Sequence, residues 1–293
     1  MALRGKKPQE IEKRLKAFFY GRPGVGKTTC ALQFPNPYVI DTERGAENTQ
    51  YVELLEKAGG ALFQTSDYDE IITEVKELLT TKHSYKTLVI DPLTNVYSNL
   101  VDKAELKRSA EDKKSNPFGA AYGDANKQIK RLIDLLLRLD MNVIITSHSK
   151  DQWGPGMVMM GQTFDCYKKL PYVFDITLQV DKRGKDRIAI VEKTRIKTFE
   201  EAEQFPFSYQ VIADKYGRDK IEKEVLIQEL ITPEEATELK HLILIFKVPP
   251  ESVDKWLDKA QSSCIEEMPR TYGQKCIAFL KEQITSQKTA EVA

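Results

Sequence analysis

The sequence predicts an α/β fold with a mostly parallel sheet, an antiparallel extension of that sheet, and a small helical domain at the C-terminus. Three observations predict it. Short apolar runs alternate with helical patterns over the first two thirds of the chain, which is typical of βαβ units with a covered sheet. Two β-rich runs are joined by the turn-like segment DKRGKD, as in a hairpin. Beyond about Gly217 only helical patterns follow.

The apolar runs are short and are bounded by turn or helix signals, which indicates strands. The predicted strands are Lys16–Tyr20, Tyr38–Asp41, Ala61–Gln64, Thr87–Asp91 and Asn142–Thr146, followed by the antiparallel pair Phe174–Val180 and Arg187–Glu192. Apolar residues at helical spacing predict the intervening helices Asn48–Ala58, Tyr68–Leu79 with Asp67 as its N-cap, and Asn126–Leu139. Two stretches are predicted as loops, Arg108–Tyr122 and the long irregular loop Ser149–Leu170.

The last part of the chain predicts three short helices, at Pro233–Phe246, Glu251–Ala260 and Tyr272–Glu282, and then a frayed tail, SQKTAEVA. We therefore expect a core domain over residues 1–221 and a small helical domain over residues 222–293. Residues 222–293 contain 9 basic and 13 acidic residues, a net charge of −4; because the whole chain has 44 of each, the core carries +4. A mildly basic core permits binding of nucleic acid through a local groove but does not require it.

Composition places the chain among globular proteins, with 41% hydrophobic and 30% charged residues. No apolar run approaches the ~20 residues that cross a bilayer. The basic segment Met1–Lys7 is not followed by the apolar stretch of a secretory signal, so we expect a cytoplasmic protein without membrane association. The four cysteines are widely separated and form no CxxC pair, which favours free thiols over a metal site.

The segment GRPGVGKT predicts a phosphate-binding loop, because it matches GxxxxGK[ST] and lies between a predicted strand and a predicted helix. Its glycines allow backbone N–H groups to surround phosphate oxygens, its lysine reaches the β- and γ-phosphates, and its threonine hydroxyl ligates Mg²⁺. The candidate nucleotide-binding residues are Gly21, Arg22, Pro23, Gly24, Val25, Gly26, Lys27, Thr28 and Thr29.

Polar residues at the ends of three predicted strands complete the candidate site. Asp91 is the expected acidic partner for Mg²⁺, with a helix cap as the alternative. Glu43 is a candidate general base for water, and Asp41 beside it is expected to be structural. His148 is placed to sense the γ-phosphate and to relay its presence to the segment that follows; the alternative is a structural histidine.

These elements, in this order, resemble the core of the RecA-type recombinases. VIDTE resembles the segment with the family's catalytic glutamate, TLVIDPLTNV its Mg²⁺-anchoring strand, and VIITSH the strand that ends in a γ-phosphate sensor, usually Gln. IVEKTR resembles the strand with two cations that reach the ATP of a neighbouring subunit. The resemblance implies that Glu43 is the general base, His148 the sensor, and Lys193 and Arg195 the cations acting in trans, with Tyr51 near the position of an adenine-stacking aromatic.

A RecA-like core with a short N-terminus and a small C-terminal helical domain is also similar to the RecA-like single-strand annealing proteins of bacteriophages (the Sak type). This resemblance implies an ATP-dependent protein that binds single-stranded DNA and promotes annealing or recombination, with ATP and Mg²⁺ as cofactors. It implies a homo-oligomeric ring or filament, a single-strand DNA-binding protein as a further candidate partner, and the cytoplasm of a bacterial host if the chain is phage-encoded. The candidate DNA contacts combine cations with aromatic rings: Lys150, Trp153, Lys168 and Lys169 in one predicted loop, and Lys113, Lys114, Phe118 and Tyr122 in the other.

Two other function classes fit the same motifs. One is a RecA-fold NTPase that acts as a helicase-type motor or a KaiC-like regulatory switch and binds protein. The other is a nucleotide-binding scaffold without turnover, which the presence of Lys27, Glu43 and Asp91 disfavours.

Overall fold

The computed structural model of the chain describes residues 13–46, 48–111 and 119–291. The strands in these ranges are β1 Lys16–Gly21, β2 Pro37–Asp41, β3 Ala61–Gln64, β4 Thr87–Asp91, β5 Asn142–Trp153, β6 Met159–Phe164, β7 Ile176–Arg183, β8 Asp186–Thr194 and β9 Gln204–Pro206. The helices are α1 Lys27–Leu32, α2 Thr49–Lys57, α3 Tyr68–Thr80, α4 Leu93–Glu111, α5 Ala120–Arg138, α6 Leu170–Val173, α7 Tyr209–Tyr216, α8 Arg218–Glu222, α9 Pro233–Ile245, α10 Pro250–Ala260 and α11 Arg270–Glu291.

The predicted fold class is confirmed. The strands form one sheet in the order β3-β2-β4-β5-β1-β7-β8-β9, in which the pairs from β3 to β7 are all parallel. The strands β7, β8 and β9 pair in antiparallel fashion and extend the sheet at one side. Because the parallel strands share one direction, the carboxyl ends of β1, β2, β4 and β5 meet at the same edge.

The chain folds into two compact units. The first contains the residues up to 66, residues 84–99 and residues 140–225, and therefore the whole sheet. Its core cluster includes alternate residues of the strands, such as Ala17 and Phe19, with apolar residues of α1, α2, α7 and α8. Alternation follows from the strand period of two, which places every second side chain on one face.

The second unit contains residues 67–83, 100–139 and the residues from 226 onward. Asp67 caps α3 by accepting the backbone N–H groups of Asp69 and Glu70, as predicted. Helix α9 begins with a capping box in which Thr232 and Glu235 bond each other's backbone N–H groups. Apolar residues of α9, α10 and α11 form a second core cluster. The domain boundary at residues 221 and 222 stays a prediction.

Several predicted elements differ from the structure in extent. The sequence predicted an irregular loop over Ser149–Leu170, and this is wrong: β5 continues to Trp153 and pairs in antiparallel fashion with β6. The hairpin was not recognised because the run GPGMVMMG contains glycines and shows no apolar–polar alternation. Helix α5 begins at Ala120 rather than Asn126, so that Tyr122 is helical. Arg108 is helical as well, and Lys113, Lys114 and Phe118 lie outside the described residues.

The C-terminal helix also differs, because α11 extends to Glu291 where the prediction ended at Glu282. The backbone of residues 286–291, predicted as a frayed tail, is therefore helical. The four cysteines are free thiols. None of the helices in the described ranges combines the length and the apolar character that crossing a membrane demands.

Candidate nucleotide-binding site

The phosphate-binding loop connects the end of β1 to the start of α1. Gly24 has φ +74° and Gly26 has φ +92°, the left-handed conformation that glycine adopts without a steric penalty. Gly26 is the N-cap of α1, and because glycine has no side chain it cannot accept a hydrogen bond from the first N–H groups of the helix. The backbone N–H groups at the start of α1 are therefore not occupied by a side-chain cap, which suits a loop that binds an anion.

Lys27 folds back onto this loop. Its side chain is buried, and its ammonium donates to the carbonyl oxygens of Gly21 at 2.8 Å and Arg22 at 3.1 Å. Burial lowers the pKa of Lys27, while the charges of Asp91 and Glu43 act in the opposite direction. A bound phosphate group would add negative charge beside this buried ammonium and favour its charged form.

Asp91 lies at the end of β4, where the sequence analysis placed the Mg²⁺ ligand. Thr28 Oγ1 donates to Asp91 Oδ2 at 2.6 Å, and the hydroxyl of Thr146 donates to the other carboxylate oxygen. Burial raises the pKa of Asp91, and the two hydroxyl donors and Lys27 oppose that rise. Thr146 was missed by the sequence analysis. The register of β4 with β5 pairs Ile90 with Ile145, which places Thr146 beside Asp91.

The donors around Asp91 fit a magnesium ion. Mg²⁺ prefers hard oxygen ligands and is usually held by one or two protein groups together with the substrate phosphates. Thr28 and Asp91 provide a hydroxyl and a carboxylate oxygen in contact with each other. Among the residues that the structure describes, no group of three or more His, Cys, Asp or Glu side chains forms an all-protein metal site.

Glu43 and His148 are brought together at the same edge of the sheet. Glu43 follows β2, His148 lies within β5, and 2.9 Å separates Glu43 Oε1 from His148 Nε2. The side chains are 43% and 38% exposed, so both remain accessible to water and to a ligand. Asn95 Nδ2 also donates to Glu43 Oε1, at 3.3 Å. Asn95 was missed because it lies outside the elements that the sequence predicted, and a single Asn carries no local signal.

Asp41 holds the turn that presents Glu43. Its carboxylate accepts the backbone N–H groups of Glu43 at 3.0 Å and Ala46 at 2.8 Å, and its side chain is buried. This geometry agrees with the structural part expected for Asp41. On the other side of the pair, the backbone N–H of His148 donates to Thr94 Oγ1 at 3.0 Å, which fixes that end of β5 against the start of α4.

The β5–β6 hairpin brings three of the candidate DNA-binding residues to one cavity of about 570 Å³, which is lined by Lys150, Asp151, Gln152, Trp153, Thr163, Phe164, Cys166 and Lys168. Trp153 is 60% exposed. Lys150 Nζ lies 2.8 Å from Asp165 Oδ1. Lys169 is not in the lining and serves as the N-cap residue of α6.

The hairpin also contacts the phosphate-binding loop. Arg22 Nη2 lies 3.9 Å from Asp151 Oδ1. With the amide of Gln162 turned to present its oxygen, that oxygen accepts from Arg22 Nη2 at 2.7 Å. Arg22 of the phosphate-binding loop therefore lies beside Asp151, which lines the cavity.

The remaining predicted site residues lie elsewhere. Lys193 donates to the carbonyl oxygen of Phe174, and Arg195 to that of Tyr172. Strand β7 is parallel to β1, and β8 is antiparallel to β7. Lys193 and Arg195 therefore lie beside the amino-terminal ends of β7 and β1, whereas the phosphate-binding loop of their own chain follows the carboxyl-terminal end of β1. Burial lowers the pKa of Lys193. Tyr51 is half-buried on α2 and packs against the core of the first unit.

A known family and a number of solved structures are similar to large parts of this chain. A family model described as an AAA domain (AAA_24) matches residues 13–206. Among solved structures, the RadB recombinase is 23% identical with a TM-score of 0.42, and the alignment covers 66% of this chain and 86% of that one. An ATPase from the type III secretion system of pathogenic bacteria is 11% identical with a TM-score of 0.37, covering 96% and 89%. The comparison with curated proteins found no match.

Proposed function

This chain belongs to the AAA domain family, and from that premise we propose that it is a Mg²⁺-dependent ATPase that couples hydrolysis to the binding of single-stranded DNA. The mostly parallel sheet and the loop that follows β1 support the RecA-like P-loop core that the sequence predicts. One observation carries the DNA part of the proposal. Strand β5 leads from His148, which contacts Glu43, to Lys150 and Trp153 in the hairpin cavity.

The ATPase chemistry assigns one task to each side chain of the site. Lys27 binds the β- and γ-phosphates, and Glu43 accepts a proton from the water that attacks the γ-phosphorus as ADP leaves. Thr28 and Asp91 would hold Mg²⁺, which neutralises charge on the phosphate oxygens. His148 would exchange its contact with Glu43 for one with the γ-phosphate, so that the start of the hairpin strand responds to the nucleotide.

Two variants separate nucleotide binding from turnover. Lys27→Ala should abolish ATP binding, because it removes the cation that holds the phosphates in the ground state. Glu43→Gln should bind ATP and hydrolyse it slowly, because an amide cannot accept the proton of the attacking water. Binding of a fluorescent ATP analogue and release of phosphate measure the two effects. Hydrolysis at the wild-type rate by Glu43→Gln would show that another group activates the water.

The hairpin cavity has the chemistry of a site for single-stranded nucleic acid. Its two lysines can contact backbone phosphates, and an exposed tryptophan can stack on a base of any sequence, which contributes about 1–3 kcal/mol per base. Each phosphate contact on a single strand changes the slope of log K against log salt concentration by about 0.7. We propose annealing or recombination of DNA strands as the purpose of this binding, in the cytoplasm of a bacterial host for a phage-encoded chain, with a single-strand DNA-binding protein as a further candidate partner.

Filter binding of single-stranded DNA, with and without ATP and across a range of salt concentrations, tests this assignment. Lys168→Ala should weaken binding and flatten the salt slope by about 0.7. Trp153→Ala should weaken binding about 5- to 160-fold without changing the slope, because stacking involves no phosphate. Lys169→Ala is the matched control, since Lys169 adjoins Lys168 but lies outside the cavity. If all these variants bind single-stranded DNA with the wild-type affinity at every salt concentration, the hairpin cavity is not the DNA-binding site.

Lys193, at the end of β8, and Arg195, directly after it, support a site shared between subunits. Lys193 and Arg195 are on the far edge of their own sheet, so a contact with ATP requires a second copy of the chain in a head-to-tail ring or filament. A cation supplied in trans can raise the rate about 10³- to 10⁵-fold. Mixing the inactive double variant Lys193→Ala/Arg195→Ala with inactive Lys27→Ala should restore ATPase activity at mixed interfaces. Absence of recovery in assemblies shown to contain both variants would reject the trans assignment.

A second function is favoured by the tip of the same hairpin. Met157, Val158, Met159 and Met160 are all exposed, and flexible methionine-rich surfaces are used for protein binding. This observation supports the alternative of a helicase-type motor or a KaiC-like regulatory switch that binds a protein. The DNA titration separates the two, because a protein-binding switch would bind single-stranded DNA weakly and without response to Lys168→Ala.

A further inference from the structure

The β7–β8 hairpin lies directly against the phosphate-binding loop. A Cβ atom placed on Gly21 would lie 2.3 Å from the carbonyl oxygen of Val180, so the end of β1 and the strand β7 approach as closely as glycine allows. A Cβ atom on Gly26 would lie 3.8 Å from Cγ, Cδ and Nε of Arg187. The side chain of Arg187 therefore covers Gly26, the residue that immediately precedes Lys27.

Arg187 is held in this place by its backbone. It pairs with Lys182 in the β7–β8 ladder, and its carbonyl oxygen accepts the N–H of Phe207 at 2.8 Å. Among the residues that the structure describes, its guanidinium makes one hydrogen bond, in which Nη1 donates to the carbonyl oxygen of Lys185 at 2.8 Å. A guanidinium has five N–H donors, so this contact leaves most of them available.

The charge of Arg187 is not neutralised within the described part of the chain, where no carboxylate oxygen lies within 4 Å of its guanidinium. Arg22, the other arginine at the loop, differs in this respect because it lies 3.9 Å from Asp151. Lys27 has the carboxylates of Asp91 and Glu43 as opposing charges. A half-buried arginine with spare donors beside an anion-binding loop is suited to a phosphate, whose oxygens match the planar fork of the guanidinium.

We propose that Arg187 is a nucleotide-binding residue of its own chain, whose guanidinium binds the phosphate chain of the nucleoside di- or triphosphate in the loop. The proposal rests on the nucleotide site proposed above and adds to it a cation that the sequence did not single out. Arg187 differs from Lys193 and Arg195 in its location. It lies at the start of β8, at the edge with the loop, whereas they lie at the other end of the strand.

The test is the affinity of the full chain for ATP, ADP and adenosine, measured by equilibrium titration. Arg187→Ala should weaken ATP and ADP binding about 10- to 100-fold, the range for hydrogen bonds between charged groups, and should leave adenosine binding unchanged. Arg187→Lys should recover part of the loss, because it restores the charge but not the two-pronged geometry. Arg183→Ala is the matched control on the same hairpin, since its guanidinium bonds Gln204 Oε1 at 2.9 Å, and it should change the affinity less than two-fold.

The outcomes distinguish this proposal from the proposed function. Wild-type ATP affinity in Arg187→Ala, with binding lost in Lys27→Ala, would overturn the part assigned to Arg187 and leave the loop as the nucleotide site. An equal loss of adenosine and ATP affinity in Arg187→Ala would also overturn it, because that pattern indicates a disturbed fold. ATP binding that survives Lys27→Ala would reject the nucleotide site itself. Equal unfolding midpoints of the variants would confirm that the comparison concerns folded protein.

Discussion

The buried carboxylate of Glu267 allows a quantitative test of how the second unit is held together. Glu267 is fully buried, and its Oε1 accepts from Arg131 Nε at 3.0 Å, from Arg131 Nη2 at 2.6 Å and from Lys76 Nζ at 3.0 Å. Its Oε2 is buried without a hydrogen-bond partner among the described residues. The three side chains lie on α3, on α5 and in the segment before α11, so this cluster joins distant parts of the sequence.

The perturbation is Arg131→Met, which removes two of the three bonds and leaves the carboxylate buried. Loss of one partner of a buried ion pair costs about 3–5 kcal/mol when the remaining charge is uncompensated. Lys76 remains as a partner, so we expect a cost at or just below the low end of that range, about 2–3 kcal/mol. Glu267→Met should cost less, because Lys76 and Arg131 are 31% and 37% exposed and water can solvate them once the carboxylate is gone.

Urea unfolding followed by circular dichroism measures these costs. The double variant Arg131→Met/Glu267→Met is the control, because it removes the buried charge together with its main partner and should be more stable than Arg131→Met alone. The reasoning is refuted if Arg131→Met lowers the free energy of unfolding by under about 0.5 kcal/mol, or by less than Glu267→Met does. Either result would show that the uncompensated buried carboxylate is not the main source of the destabilisation.

The same cluster makes the stability of the folded protein depend on pH. Burial opposes ionisation of Glu267, but its bonds to Arg131 and Lys76 outweigh burial and hold its pKa below the ordinary value of 4.5. A carboxyl with a lowered pKa in the folded state contributes stability that is complete above its unfolded pKa and is lost as the pH falls through the folded pKa. Stability from Glu267 should therefore decline below about pH 4.5, and Arg131→Met should move that decline to higher pH.

Three further outcomes follow from single positions. Gly21→Ala should abolish ATP binding and lower the unfolding midpoint more than Gly24→Ala, because a Cβ at position 21 meets the backbone oxygen of Val180 whereas position 24 opens to empty space; equal effects would contradict this. Burial lowers the pKa of Lys16 to about 7. Above pH 7 the unfolded state therefore binds one proton more than the folded state, and the free energy of unfolding should rise between pH 7 and 9 by up to about 1.4 kcal/mol per pH unit. Lys16→Met should remove this rise in the urea midpoint, and an unchanged dependence of the midpoint on pH would reject the assignment. Asp41→Asn should lower the ATPase rate while ATP affinity stays near wild type, since Asp41 supports the turn of Glu43 and not the loop; a parallel loss of affinity would count against that separation.

The sequence predicted the hydrophobic and phosphate-binding parts of the first unit well, because their signals are local. A run such as KAFFYG is apolar throughout most of its length and ends in glycine, and β1 is accordingly buried from end to end. The loop follows from eight consecutive residues, and Asp91 follows from its position at the end of a short apolar run. Glu43 and His148 were each placed by the same reasoning, and the structure brings them into contact.

The misses share a different cause. The hairpin after His148 was not recognised because β5 leaves the apolar pattern at that point and pairs with β6, a contact between segments separated by a glycine-rich turn. Thr146 and Asn95 gain their importance from neighbours in other strands and helices, and no local pattern marks them. Arg187 was predicted as the start of a strand, and only the approach of β7 to Gly21 places its side chain over the loop.

The sequence by itself determined most of the strands, most of the helices, the phosphate-binding loop and the acidic residues at the strand ends, since hydrophobic periodicity and glycine conformation act over a few residues. Only the tertiary structure decided strand order and register, and with them which polar side chains meet. The strand register brings the hydroxyl of Thr146 to the carboxylate of Asp91. The direction of β8 places Lys193 at the end of the strand that is remote from the phosphate-binding loop of its own chain. The packing of the β7–β8 hairpin places the side chain of Arg187 over that loop. These are contacts between residues far apart in sequence, and their energies depend on burial and distance, which exist only once the chain has folded.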